Sequence, residues 1–160
     1  MRSFLAALPA FCLVLAGPAA PPAQAQAQAN YGGCMLMGRP APSIPDPSID
    51  DIAMAGIVPG YGRVILYNPA IVNRARAETR TFFYYHECAH HALGHTLGLA
   101  HPQASEQQAD CWAVRELVGR RMFNPAQLRV VQDEMAATPG DRTRLPGPTR
   151  AMNLYACLGR

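Results

Sequence analysis

Glu78-Thr79-Arg80-Thr81-Phe82-Phe83-Tyr84-Tyr85-His86-Glu87-Cys88-Ala89-His90-His91-Ala92-Leu93-Gly94-His95-Thr96-Leu97 is the stretch on which the fold of this chain turns. It holds no proline, four consecutive aromatic residues and four of the five histidines of the chain. At 3.6 residues per turn, Phe83, His86, His90, Leu93 and Leu97 share one side, so the spacing predicts a helix over 78–97 with two imidazoles set into its apolar face. His86 and His90, four apart in an H-E-x-x-H segment, lie one turn apart and can share a metal ion, and Glu87 stands one step round the helix beside them. Such a segment arises by chance on the order of once per hundred or more chains of this length, so its surroundings have to decide.

Outward from that helix, Gly94, Gly98 and Pro102 mark its end. Ser105 with Gln108 three residues on reads as a capping box opening a helix over 106–118. Asn124-Pro125 with Gln127 opens another, which stops before Pro139-Gly140, and a last short helix is expected over 149–158. Upstream, Arg63-Val64-Ile65-Leu66-Tyr67, bounded by Gly62 and Asn68-Pro69, reads as a strand. A first short helix is expected over 69–77. Residues 30–62, with Gly32-Gly33 and Pro40, Pro42, Pro45 and Pro47, read as a loop-rich segment with little regular structure. The fold class that follows is α+β, mainly α: one domain over 30–160 with its core in 63–160.

Residues 1–29 begin with Arg2, continue as an apolar run from Phe4 and end in a Pro/Ala/Gln tract with Ala23-Gln24-Ala25. This is the pattern of a secretory signal peptide with cleavage at about 25–29, and the expectation is an exported, periplasmic or secreted protein with no membrane insertion after cleavage. The formal charge of +3 becomes +2 without Arg2, and the arginines are scattered among Asp and Glu, so nucleic acid is not an implied partner. Four cysteines remain beyond the leader: Cys34, Cys88, Cys111 and Cys157. In an exported chain an even count argues for two disulfides. Cys88 lies two residues from each metal-facing histidine and points away from them, which disfavours a bridge to Cys111. Cys34 and Cys157 are then expected each to tie a chain end to the central helices.

A catalytic zinc wants three protein ligands and one open position. Among the downstream candidates, His95 lies nine residues from His86, about 180° round the same helix, and cannot join it while that helix stays intact. His101 serves only if the loop folds back. Glu106 opens a new helix sixteen residues after His90, far enough for a turn that lays the second helix beside the first. Asp110, at i+4, shares the face of Glu106, as do Ala113 and Leu117, and can accept an N–H bond from a ligand histidine. Taken alone, the two carboxylates read equally well as a first-turn acidic residue favoured by the helix dipole and a solvated charge. His91 and His95 read as hydrogen-bonded structural or surface groups. Phe82, Phe83, Tyr84, Tyr85 and Trp112 read as core.

Together, His86-Glu87-x-x-His90 and Glu106-x-x-Ala109-Asp110 resemble the gluzincin metallopeptidases of the CAAX-prenyl-protease and heat-shock-protease type, and Glu106 to Cys111 is also similar to bacterial neutral zinc metallopeptidases. The resemblance runs over about 64–117, with an echo at Gly147-Pro148-x-Arg150. A metzincin pattern is not met, because Leu93 and Thr96 occupy the positions where it needs Gly and His. The resemblance implies a minimal zincin-like domain and one zinc ion held by His86, His90 and Glu106. It also implies Glu87 as general base, Asp110 as a partner of a ligand histidine, and a peptide or protein substrate. Arg150, Tyr155, Tyr61 and His101 are candidate oxyanion donors, none of them singled out by spacing. The strand at 64–67 is a candidate edge for an extended peptide, or simply a core strand.

Overall fold

In the computed structural model, which describes residues 33–98, 102–140 and 145–159, the chain is mainly α with a small β component. The leader expected over 1–29 and His101 lie outside the described residues. Two short strands, β1 (Met35–Leu36) and β2 (Arg39–Pro40), pair antiparallel across Met37 and Gly38. Both turn residues have positive φ, the backbone of a tight type I′ hairpin, which Gly38 adopts without strain. Three further strands, β3 (Ser43–Pro45), β4 (Ala53–Val58) and β5 (Gly62–Tyr67), form a sheet in the order β3-β5-β4, with β3 parallel and β4 antiparallel to β5.

The region expected to be loop-rich is therefore where most of the sheet is built. Ala53-Met54-Ala55-Gly56-Ile57-Val58 has two alanines and a glycine, residues poor in strand propensity, and gains its extended form from pairing along β5. The signal that was present is Pro59-Gly60: Tyr61 N–H bonds Val58 C=O at 3.0 Å and Gly60 has φ +82°, a type II turn with proline and glycine at their preferred positions. The strand at 64–67 is central, so it has no free edge to offer a peptide. The edge strands of this sheet are β3 and β4. Ile65 N–H bonds Pro42 C=O on the β3 side, so at the Ala55–Ile65 pair the backbone groups of Ala55 point away from the sheet.

Five α-helices follow among the described residues: α1 (Pro69–Val72), α2 (Ala77–Ala92), α3 (Pro102–Gly119), α4 (Pro125–Ala136) and α5 (Gly147–Ala156). α2 runs through the middle, packed on β4 and β5 on one side and on α3 and α4 on the other. That explains its burial: Thr79, Phe82, Tyr84, Tyr85, His86, Glu87, Cys88, Ala89 and His91 are all buried, more than one stripe of the helix. It ends five residues earlier than its apolar spacing predicts. Leu93 caps it, Gly94 turns left-handed at φ +78°, and His95–Leu97 form a separate 3₁₀ turn. Leu93 and Leu97 consequently lie 44% and 55% exposed instead of extending the apolar face.

α3 begins at Pro102, whose fixed φ suits a first helical turn, so Ser105 is a buried first-turn residue and not the cap its spacing with Gln108 predicts. Ala109, Ala113, Val114 and Leu117 on this helix are fully buried against the core. The capping box at Asn124 and Gln127 forms as read, with the Asn124 side chain accepting from Ala126 and Gln127 N–H and the Gln127 side chain accepting from Asn124 N–H. α4 and α5 pack on each other, and the Gln132 side chain donates to Ala151 C=O between them at 2.7 Å. Gly147, the first residue of α5, lies so close to Met135 C=O and Thr138 C=O that a β-carbon there would collide with both.

Two disulfides, Cys34–Cys88 and Cys111–Cys157, tie the segment before the sheet to α2 and the end of α5 to α3. Cys88 and Cys111 are not joined, and the pairing fits an oxidising location. No helix among the described residues is long and apolar enough to cross a membrane.

Candidate metal centre

Where α2 and α3 pack, they bring together His86, His90 and Glu106, each offering one ligand atom to a common point. The Nε2 atoms of His86 and His90 are 3.0 Å apart. Glu106 reaches both, with Oε2 3.3 Å from His86 Nε2 and Oε1 3.2 Å from His90 Nε2. A tetrahedral ion with bonds of about 2.0–2.1 Å sets its ligand atoms about 3.3 Å apart, a spacing that the two Nε2 atoms and the Glu106 oxygen nearer to each come close to, the two histidines meeting different oxygens of that carboxylate. Two imidazoles and a carboxylate are a donor set able to hold a divalent metal ion.

Behind His86 stands a buried charged chain. Its Nδ1 donates to Asp110 Oδ1 at 2.8 Å, and Asp110 in turn accepts two bonds from Arg150, Nε to Oδ2 at 2.6 Å and Nη2 to Oδ1 at 2.7 Å. An ionised Asp110 accepts only, so it holds the His86 proton on Nδ1 and leaves Nε2 with its lone pair toward the metal position. Burial works against the charge of Asp110, but the bonds from Arg150 and His86 outweigh it and hold its carboxyl below the usual range. Burial likewise opposes ionisation of Glu106, and the two histidines overcome it, so that carboxyl also lies well below its ordinary value.

Burial would lower His86, yet its bonds to Asp110 and Glu106 win and raise it to about 9 in the metal-free protein. Arg150 stands on the Nδ1 side of His86, with Nη2 3.4 Å from that atom, and its guanidinium lies 5.5 Å from the Phe83 ring centre. Both of its short bonds go to Asp110, which it braces, and its Nη2 also lies 3.7 Å from Glu106 Oε2.

Glu87 is 5% exposed, with Oε1 3.9 Å from His86 Nε2. Its other oxygen accepts the outward-facing N–H of Ala55 on β4 at 2.7 Å. Burial pushes Glu87 up to about 7, against the lowering pull of His86 and the Ala55 bond. The bond to β4 is a contact the sequence did not announce, because it depends on a strand that strand propensity does not reveal.

The other histidines divide. His91 is buried and its Nε2 donates to Val64 C=O at 2.8 Å, pinning α2 to β5, which matches its structural reading. His95 departs from the expectation that it points away from the pair. Since the helix breaks at Gly94, the chain turns back and His95 Nδ1 comes within 3.1 Å of His90 Nδ1, while its Nε2 meets Gln108 Oε1 at 2.9 Å. Phe82, Tyr84 and Tyr85 are core, and Tyr84 Oη accepts Cys34 N–H at 2.9 Å. Trp112 is only half-buried and lines a cavity of about 540 Å³ with Leu93, Gln108 and Arg115, on the face of α3 turned away from Glu106. Compared with family models, curated proteins and solved structures, the chain matches none.

Proposed function

We propose that this protein is an exported zinc-dependent metallopeptidase that hydrolyses peptide bonds at the His86–His90–Glu106 centre. The observation that carries the reading is Glu87. A site that only stores metal has no use for a buried carboxylate beside its first ligand, held in place by a strand amide and poised near neutrality. His86, His90 and Glu106 would hold the zinc, which when bound would supply a Lewis acid and acidify the attacking water. Glu87 takes the proton of the attacking water and returns it to the leaving amine. Asp110 and Arg150 keep the His86 proton on Nδ1 throughout. The outer edge of β4, beyond the Ala55 N–H that Glu87 occupies, is where an extended peptide would add as a further strand. Export rests on the leader expected over 1–29 and is supported by the two disulfides.

The test compares wild type with Glu87→Gln over a broad peptide library, with zinc content measured on the same samples. Wild type is expected to hold about one zinc per chain and cleave, and Glu87→Gln to hold zinc and lose cleavage. Equal behaviour of the two across the library would replace the peptidase reading by a zinc-binding module without turnover.

A further inference from the structure

The second ligand histidine has a partner of its own, and that partner is an imidazole. For His90 to present Nε2 to a metal at the shared point, its proton has to be on Nδ1. Nδ1 is 3.1 Å from His95 Nδ1, the rings standing at 71° with centres 5.1 Å apart. A hydrogen bond between two Nδ1 atoms needs one donor and one acceptor, so His95 must carry its own proton on Nε2. Nε2 sits 2.9 Å from the side-chain oxygen of Gln108, an acceptor. The polarity of the chain is therefore set from end to end: His90 Nδ1–H to His95 Nδ1, then His95 Nε2–H to Gln108 Oε1.

Three features of the fold serve this one contact. Gly94, left-handed at φ +78°, stops α2 and swings His95 back over His90, a path a β-carbon at that position would strain. The 3₁₀ turn His95–Leu97 holds the ring at that height. Gln108 stands on α3 two residues after Glu106, so the helix that supplies the third ligand also anchors the relay.

We infer that His95 is a positioning residue for zinc, fixing the tautomer and ring orientation of His90 through its Nδ1 lone pair, with Gln108 fixing His95 in turn. His86 is held by a charged carboxylate and His90 by a neutral imidazole, so the two ligands differ in how strongly their electrons are pushed toward the metal. This inference rests on the zinc reading above, and its test separates the two.

Zinc affinity is measured by chelator competition for wild type, His95→Phe and His95→Asn. Folding of each variant is checked by circular dichroism. His95→Phe keeps a ring but has no acceptor, and its zinc affinity is expected to fall about 10–100-fold. His95→Asn places an amide oxygen near the Nδ1 position and is expected to recover wild-type affinity to within about threefold. Zinc-loaded wild type gives a second readout independent of any variant: ¹⁵N chemical shifts should show His95 as the Nε2–H tautomer, and the His90 Nδ1 proton should be protected from exchange. The inference is overturned if His95→Phe binds zinc as tightly as wild type, if His95→Asn is as weak as His95→Phe, or if His95 carries its proton on Nδ1. A wild-type protein that takes up no zinc overturns the zinc reading itself and this inference with it. Zinc uptake without peptide cleavage overturns only the peptidase reading.

Discussion

Replacing Asp110 by asparagine keeps the shape of the group behind His86 and removes its charge. In the native protein Asp110, 4% exposed, takes three hydrogen bonds, one from His86 and two from Arg150, itself 6% exposed. An amide can accept on one side only, and its NH₂ would face the Arg150 guanidinium in either orientation, and the His86 N–H as well in one of them, donor against donor. Breaking a buried ion pair by neutralising one partner costs about 3–5 kcal/mol, because the other charge stays buried and unpaired. The metal-free protein should lose that amount in urea unfolding, seen as a lower midpoint at unchanged slope. Zinc affinity should fall about 10–100-fold, since His86 is freed to carry its proton on Nε2. The double variant Asp110→Leu/Arg150→Met removes both charges and should regain stability without regaining zinc affinity, separating the energetic role of the pair from its orienting role. Asp110→Asn with stability within about 1 kcal/mol of wild type and zinc affinity within threefold would refute the reasoning.

With zinc chelated, stability should fall as pH rises from 6 to 9. His86, raised to about 9, contributes stability that is complete below its ordinary 6.5 and is lost through 9, while Glu87, raised from 4.5 to about 7, costs stability as pH rises from 4.5 to 7 and adds to the fall only at the low end of this range; a urea midpoint that is flat or rises from pH 7 to 9 contradicts the His86 shift. Cys111→Ser/Cys157→Ser opens a loop of sequence separation 46 and should cost about 4 kcal/mol in the chain-entropy account, with zinc affinity reduced as well because the end of α5, the helix that carries Arg150, is released. Gly147→Ala should force α5 away from Met135 and Thr138, lowering stability by about 1–3 kcal/mol and weakening zinc binding through Arg150, while Gly159→Ala, with open space around it, should change neither; thermal melts with and without zinc compare the two.

Legibility tracked the range over which each feature is decided. His86 and His90 were readable as a metal pair because helix periodicity alone sets them one turn apart, and Glu106 and Asp110 as a second pair for the same reason. The capping box at Asn124 was readable because its donors and acceptors are three residues apart. The capping signal at Ser105 failed because Pro102 begins the helix one turn earlier, and the apolar stripe through Leu93 and Leu97 failed because Gly94 ends α2 before it. β4 was missed since its extended form comes from β5 and not from its own alanines and glycine.

The sequence by itself determined the mainly α class, the existence of two disulfides, and which side chains are chemically able to hold a metal, because these follow from composition and from spacings within one helix. Only the tertiary structure decided that α3 lies against α2 so that Glu106 closes on both histidines, which cysteine joins which, that Arg150 braces Asp110, and that His95 returns to His90. Each of these is a contact between segments 5 to 54 residues apart, from His90–His95 to Cys34–Cys88. Such contacts are set by how helices pack and where the chain turns between them, and no local propensity encodes them.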